Sequence, residues 1–78
     1  MAKPRIVCNP KIMVGKPTIE GTRLTVELIL EKLAEGHPVE ELLYAYPRLT
    51  REGIQAALEY AADIFRAGQT VSVFRKAA

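Results

Sequence analysis

The chain has too few reactive side chains for the common catalytic and metal-binding arrangements. Its 78 residues include one cysteine, one histidine, one serine, one aspartate and no tryptophan. A single cysteine cannot form an internal disulfide, and Cys8 with His37 does not supply the ligands of a zinc site. A Ser-His-Asp or Cys-His centre would need nearly all of these residues to meet. We therefore expect no enzymatic activity, no metal and no cofactor.

Long apolar runs are also missing. No stretch approaches the roughly 20 residues that span a bilayer, and the N-terminus lacks the apolar core of a signal peptide. These absences predict a cytoplasmic protein. Cys8 follows Ile6 and Val7, and in that context we expect it to be a small buried apolar residue rather than a reactive thiol.

The composition is that of a small folded protein, with 49% hydrophobic and 26% charged residues. We interpret residues 1–78 as one domain. At this size folding buries only about 60% of the surface of the unfolded chain, so the core is marginal and we expect a homodimer.

The net charge of +2 is unevenly distributed. Residues 1–25 and 48–78 are basic, residues 26–47 carry one basic and five acidic side chains, and the basic segments could meet a polyanion.

The stretch from Gly15 to Thr25 organises the rest of the chain. Pro17 favours an extended residue before it, and Gly15 and Gly21 can take positive φ. It fails the phosphate-binding P-loop pattern, because proline rather than serine or threonine follows Gly15-Lys16. We predict a structural corner in which the Thr22 hydroxyl binds a neighbouring backbone group and the Arg23 guanidinium finds a carbonyl or carboxylate. The residues of this structural motif are Gly15, Pro17, Gly21, Thr22 and Arg23.

These residues carry a family resemblance. Together with Asn9-Pro10, Tyr46-Pro47-Arg48-Leu49-Thr50 and Ala56-Ala57-Leu58, the string from Gly15 to Arg23 resembles the small bacterial and archaeal family called domain of unknown function 433. The match covers roughly residues 6–64. The resemblance implies a homeodomain-like helix-turn-helix fold and an association with antitoxins that are encoded beside PIN-domain ribonuclease toxins.

The local patterns predict a mainly α fold, with a three-helix helix-turn-helix body and a short N-terminal β arm. Arg5–Cys8 and Lys11–Val14 are β-rich runs that could form a hairpin within residues 1–25. The helical body is expected over residues 26–67, with a tail over residues 68–78 that includes a short alternating run. Its first helix should begin after the cap Thr25 and end at Gly36, the second should open near His37-Pro38 and break at Pro47, and the third should run from Arg51 to Ala67.

The apolar spacing predicts which helix faces are buried. The first helix should bury Val26, Ile29, Leu30, Leu33 and Ala34, and the third should bury Ile54, Ala57, Leu58, Ala61, Ile64 and Phe65. Tyr44 and Tyr60 lie partly off these stripes, which suggests a second apolar surface.

The second and third helices predict a DNA-binding surface at the start of the third helix. Arginine can read guanine, glutamine can read adenine, and a threonine at a helix N-terminus can hold a phosphate. Glu52 argues mildly against tight contact. The predicted DNA-binding residues are Arg48, Thr50, Arg51 and Gln55.

The C-terminal segment is the predicted contact with a protein partner, because an alternating strand-like run can add to the sheet edge of another protein. Its residues are Val71, Val73, Phe74 and Arg75. The resulting hypothesis is an antitoxin-like protein that binds DNA near its own gene and neutralises a ribonuclease toxin. The alternative is a dimeric protein-interaction module that never touches DNA, with the acidic face of Glu27, Glu31 and Glu35 against a basic partner.

Overall fold

The computed structural model describes residues 4–68, which form a two-stranded sheet followed by three helices. The strands are β1 (Ile6–Val7) and β2 (Thr18–Ile19), and the helices are α1 (Val26–Ala34), α2 (Val39–Ala45) and α3 (Arg51–Gly68). The prediction of a mainly helical three-helix body with a short N-terminal hairpin is confirmed. Within these residues no helix is long and apolar enough to cross a membrane. The predicted partner-binding residues Val71, Val73, Phe74 and Arg75 lie outside the described residues.

The hairpin pairs different segments from those predicted. Strand β1 runs antiparallel to β2, with Ile6 opposite Ile19. The predicted second strand, Lys11–Val14, is instead part of a turn, because its backbone groups bond locally. Gly15 N–H donates to Ile12 O at 3.1 Å, and Met13–Gly15 form a 3₁₀ turn with φ values of 51°, 57° and 80°. These left-handed angles are costly for a β-branched residue such as Val14.

Strand β2 and the residues after it form a tight reversal that leads into α1. The N–H of Ile19 donates to Leu24 O at 2.9 Å, and the N–H of Val26 donates to Pro17 O at 2.9 Å. Gly21 takes φ +82° at the turn. The Thr22 hydroxyl donates to Ile19 O at 2.8 Å and accepts from Leu24 N–H at 3.0 Å. Thr22 thus binds two neighbouring backbone groups of the reversal.

The helix ends follow the predicted stop and start signals. Thr25 Oγ1 accepts from the N–H of Leu28 at 2.9 Å and caps α1. At the other end Gly36 has φ +96°, and the next N–H, that of His37, reaches back to Lys32 O at 3.1 Å, which is the Schellman arrangement. Thr50 Oγ1 accepts from Gly53 N–H at 3.0 Å and caps α3.

The core lies where α1, β2 and the first half of α3 meet. Ile29 on α1 and Ala57 on α3 are fully buried, and α1 and α3 are the helices with the most extensive mutual packing. Half-buried side chains, Tyr60 among them, surround this centre. The buried hydrophobic residues are Ile19, Val26, Ile29, Leu42, Leu49, Ile54, Ala56 and Ala57.

The predicted burial of the second half of α3 is wrong. Leu58 is 44% exposed, Ile64 is 51% exposed and Phe65 is 69% exposed. The short helices α1 and α2 cover only the first half of α3, so the apolar stripe continues beyond the residues that could bury it. Ala34, at the last turn of α1, is also exposed rather than buried.

Cys8 is exposed rather than buried, because β1 ends one residue before it. Its thiol lies near the hydroxyl of Tyr60 on α3. Burial raises the pKa of the Tyr60 phenol, and the neighbouring Cys8 adds to the increase.

The two side-chain hydrogen bonds of Thr22 give a stability prediction. Thr22→Val keeps the shape but leaves Leu24 N–H without its acceptor, so we expect a loss of about 1 to 2 kcal/mol in the free energy of unfolding. Urea unfolding followed by circular dichroism would measure it. Thr22→Ser retains the hydroxyl and should lose much less. Equal stability of the Val and Ser variants would show that these hydrogen bonds do not matter.

Candidate functional site

The start of α3 brings together three of the four residues predicted to bind DNA. Thr50 is the cap, and Arg51 and Gln55 are exposed one turn apart, so their side chains lie on one face of the helix. The N–H groups of the first helical turn have no acceptor within the helix, which gives this end a partial positive charge. The surface can therefore attract an anion and also present donors to a base edge.

Arg51 is held by a carboxylate of α2. Its Nη2 donates to Glu40 Oε2 at 3.1 Å, and both side chains are exposed. The pKa of Glu40 lies below its usual value, first because a backbone N–H at the start of α2 bonds to the carboxylate and second because Arg51 is close. The ion pair fixes Arg51 beside the helix start, but exposed ion pairs are weak and screened by salt.

The fourth predicted residue, Arg48, points to a different contact. Its Nη2 donates to Gly21 O at 3.0 Å and connects the α2–α3 connector to the turn after β2. The structure thus separates Arg48, which is engaged in the fold, from Arg51 and Gln55 on α3. Sequence reasoning missed this contact, since a bond between residues 27 positions apart has no local signal.

An open cavity of about 540 Å³ lies beside this contact. It is mainly apolar, and it separates the turn after β2 from the connector between α2 and α3. Its lining residues are Val7, Ile12, Gly21, Thr22, Arg23, Leu24, Tyr46, Pro47 and Arg48. One signal of this site is present in the sequence, because Gly21–Arg23 and Tyr46–Arg48 both belong to the strings that carry the family resemblance.

Among the described residues, Arg23 does not have its predicted partner. Within residues 4–68 its guanidinium has no hydrogen bond or ion pair, whereas Arg48 takes the nearby carbonyl of Gly21. The expected carbonyl contact is therefore made by a different arginine, and Arg23 is left at the cavity wall with its charge available.

The acidic face of α1 makes contacts with side chains of its own chain. Lys16 Nζ donates to Glu27 Oε1 at 3.1 Å, and His37 Nε2 lies 3.4 Å from Glu35 Oε1. Glu31 is exposed between them. The charge that this face could offer a basic partner is smaller than the sequence suggests. A cluster of metal-ligating side chains is not found among residues 4–68.

These features define a small three-helix protein with a β hairpin packed at its N-terminus, and the chain belongs to the family described as protein of unknown function (DUF433), whose model matches residues 6–61. Its similarity extends to "Uncharacterized protein y4eO" of Sinorhizobium fredii (strain NBRC 101917 / NGR234), with 38% identity over 60 residues. That alignment covers 77% of this chain and 27% of the relative, so the chain spans about a quarter of that protein's length. No solved structure matches the chain.

The contact between Arg51 and Glu40 gives a prediction for pH dependence. Because folding lowers the pKa of Glu40, the stabilisation is complete above the ordinary value of 4.5 and is lost as the pH falls through the lowered value. In Arg51→Ala we expect the Glu40 pKa to rise towards 4.5 without reaching it, because the backbone hydrogen bond remains.

Carboxyl-carbon NMR titration would measure this pKa. Arg66→Ala is the matched control, since Arg66 pairs with Asp63 at the opposite end of α3 and should leave the Glu40 pKa unchanged. A Glu40 pKa that does not move in Arg51→Ala would show that the ion pair is absent in solution.

Proposed function

We propose that this protein is an antitoxin-like DNA-binding protein that regulates its own gene and neutralises a partner ribonuclease toxin. The toxin partner is inferred from the family resemblance alone. The DNA surface is argued from the arrangement of α2 and α3, in which a five-residue connector, residues 46–50, leads into an 18-residue helix. A short helix followed by a connector and a longer helix is the geometry with which helix-turn-helix proteins place the second helix in the major groove.

One observation carries the proposal: Thr50, Arg51 and Gln55 are exposed together at the N-terminus of α3. In this role the helix start and Thr50 would bind a phosphate, while Arg51 and Gln55 would reach base edges. Arg48 would support this surface from its contact with Gly21 rather than read a base itself.

The acidic neighbours of this surface limit its affinity for DNA. Glu52 is exposed in the first turn of α3, and Glu40 would have to release Arg51 before the guanidinium could reach a base. Such an exchange is feasible because exposed ion pairs are weak. It also means that removing the Glu40 charge should tighten binding to DNA.

We expect Arg51→Ala to lose about 1 to 3 kcal/mol of binding free energy for DNA from upstream of the gene and to relax the preference for that DNA. Fluorescence anisotropy with an unrelated duplex for comparison, at low and moderate salt, would measure both effects. Glu40→Gln should bind more tightly than the wild type, because it frees Arg51 and removes a repulsive charge.

Arg66→Ala is the control for this experiment. It removes the same side chain from an exposed ion pair, but it lies 15 residues along α3, about 22 Å from Arg51 at the ordinary helical rise. DNA binding should be unchanged in this variant. Equal losses in the Arg51 and Arg66 variants, or equal binding to both duplexes, would contradict a DNA-reading surface at the start of α3.

A second candidate function is a dimeric protein-interaction module, and the exposed apolar stripe of α3 favours it. Leu58, Ala61 and Phe65 have the spacing of one helix face, with Ile64 beside them. Large apolar side chains grouped in this way are typical of a surface that binds another protein. The stripe fits either the homodimer or the toxin contact, so it is compatible with DNA binding as well.

If the α3 stripe forms the homodimer, Phe65→Ser should shift the protein from dimer to monomer. Light scattering coupled to gel filtration over a concentration series would measure the mass. Tyr44→Ser is the control, because Tyr44 is an aromatic residue that is 90% exposed on α2. If the mass falls in Tyr44→Ser instead, the dimer contact lies on α2. If it changes in neither variant, the α3 stripe does not form a dimer contact.

A further inference from the structure

The cavity between the turn after β2 and the connector is not used by either proposed function. We propose that it binds a segment of another protein in which a large apolar side chain lies next to a carboxylate. The inference does not depend on DNA binding, and it rests on the lining of the cavity and on the state of Arg23.

The walls combine an apolar surface with positive charge. Val7, Ile12, Leu24, Tyr46 and Pro47 supply the apolar part. Arg23 and Arg48 supply two guanidinium groups, and the lining residues found in the described part of the chain include no acidic side chain. A volume of about 540 Å³ lies in the range of sites that hold organic ligands, which typically pair an apolar lining with a few polar groups. The lining therefore fits an apolar group that carries a negative charge.

Arg23 is the cationic group of the cavity wall that is best placed to bind an anion. Residues 4–68 contain five arginines, at positions 5, 23, 48, 51 and 66. Four of them have an acceptor within the chain, whereas Arg23 has none in this part of the structure. Glu27 and Glu31 line a second hollow that Arg23 also borders, but neither forms an ion pair with it. A carboxylate in the cavity would give Arg23 a bidentate partner.

The side chains of residues 1–3 and 69–78 do not supply that carboxylate. Residues 1–3 and 69–78 contain no aspartate or glutamate, and they add the basic residues Lys3, Arg75 and Lys76. Charge complementarity therefore favours a different molecule. A protein segment fits this cavity better than a small molecule does, because the cavity is open to solvent and could not enclose most of a small ligand. A side chain presented by a partner is also held by contacts outside the cavity.

The test uses the full chain, labelled with nitrogen-15, and three capped peptides. The probe is acetyl-Gly-Phe-Asp-Gly-amide. The two comparison peptides replace Asp by Asn, which removes the charge, or Phe by Ala, which removes the apolar group. At millimolar concentration we expect the Phe-Asp peptide to shift the backbone amides of Thr22, Leu24 and Arg48, and each comparison peptide to bind about fivefold or more weakly.

Arg23→Gln is the decisive variant, because Arg23 makes no hydrogen bond or ion pair within residues 4–68 that its loss would break. It should weaken binding of the Phe-Asp peptide about fivefold and leave binding of the Phe-Asn peptide unchanged. Arg66→Gln should change neither, and the amide spectra of both variants would show that they are folded.

Three results would overturn the proposal. One is equal binding of the Asp and Asn peptides, another is a set of shifts confined to the α3 stripe around Leu58 and Phe65, and the third is no shift with the Phe-Asp peptide. Because Arg23 is outside the predicted DNA-binding residues, each of these results would leave the proposed DNA surface untouched. Conversely, a failure of Arg51→Ala to affect DNA binding would not bear on the cavity.

Discussion

The fold depends on strand β2, which is bonded along both of its edges. On one edge it pairs with β1, and the Thr18 hydroxyl also donates to Val7 O at 3.3 Å. On the other edge the chain returns within a few residues, so that Thr18 lies opposite Thr25 just before α1. Thr18 and Ile19 are consequently 0% and 2% exposed. Two residues of strand thus join the N-terminal arm to the helical body, and Ile19 reaches the core through them.

This arrangement gives a physical reason for the residues that carry the family resemblance. Gly21 supplies the positive φ of the reversal, and the Thr22 hydroxyl bonds to Ile19 O before the turn and to Leu24 N–H after it. Arg48 then binds the carbonyl of Gly21, so the position of the α2–α3 connector is linked to the turn after β2. Gly21, Thr22 and Arg48 also line the neighbouring cavity, so a change in this turn would alter the wall of that cavity.

The sequence predicted the features that depend on neighbouring residues. Thr25 and Thr50 were identified as caps, Gly36 as a helix end and Thr22 as a turn ligand, because each uses backbone groups within three residues of itself. The start of α3 was likewise found from the Pro47 break and the Thr50 cap.

Features that depend on residues far apart in the sequence, such as strand pairing and the burial of a helix face, could not be predicted in this way. Lys11–Val14 and β2 are both short apolar segments that could pair with β1, and only the reversal that follows β2 decides between them. The apolar period of α3 continues past Tyr60 although α1 and α2 are too short to cover it. Periodicity indicates which residues share a face, but it does not reveal whether anything covers that face. The cavity is an outcome of tertiary assembly in the same sense, and so is the lack of a partner for Arg23 within residues 4–68.

The exposed second half of α3 also has a consequence for cooperativity. The first half is held by Ile54 and Ala57 in the core, whereas residues 62–68 are exposed on every side. A helical segment without tertiary contacts is supported only by propagation from its neighbour and opens at a low free energy. We therefore expect the amide hydrogens of α3 to be protected to different degrees along one helix. A molecule bound to the outer half would slow hydrogen exchange there while leaving the exchange of the core amides governed by global unfolding.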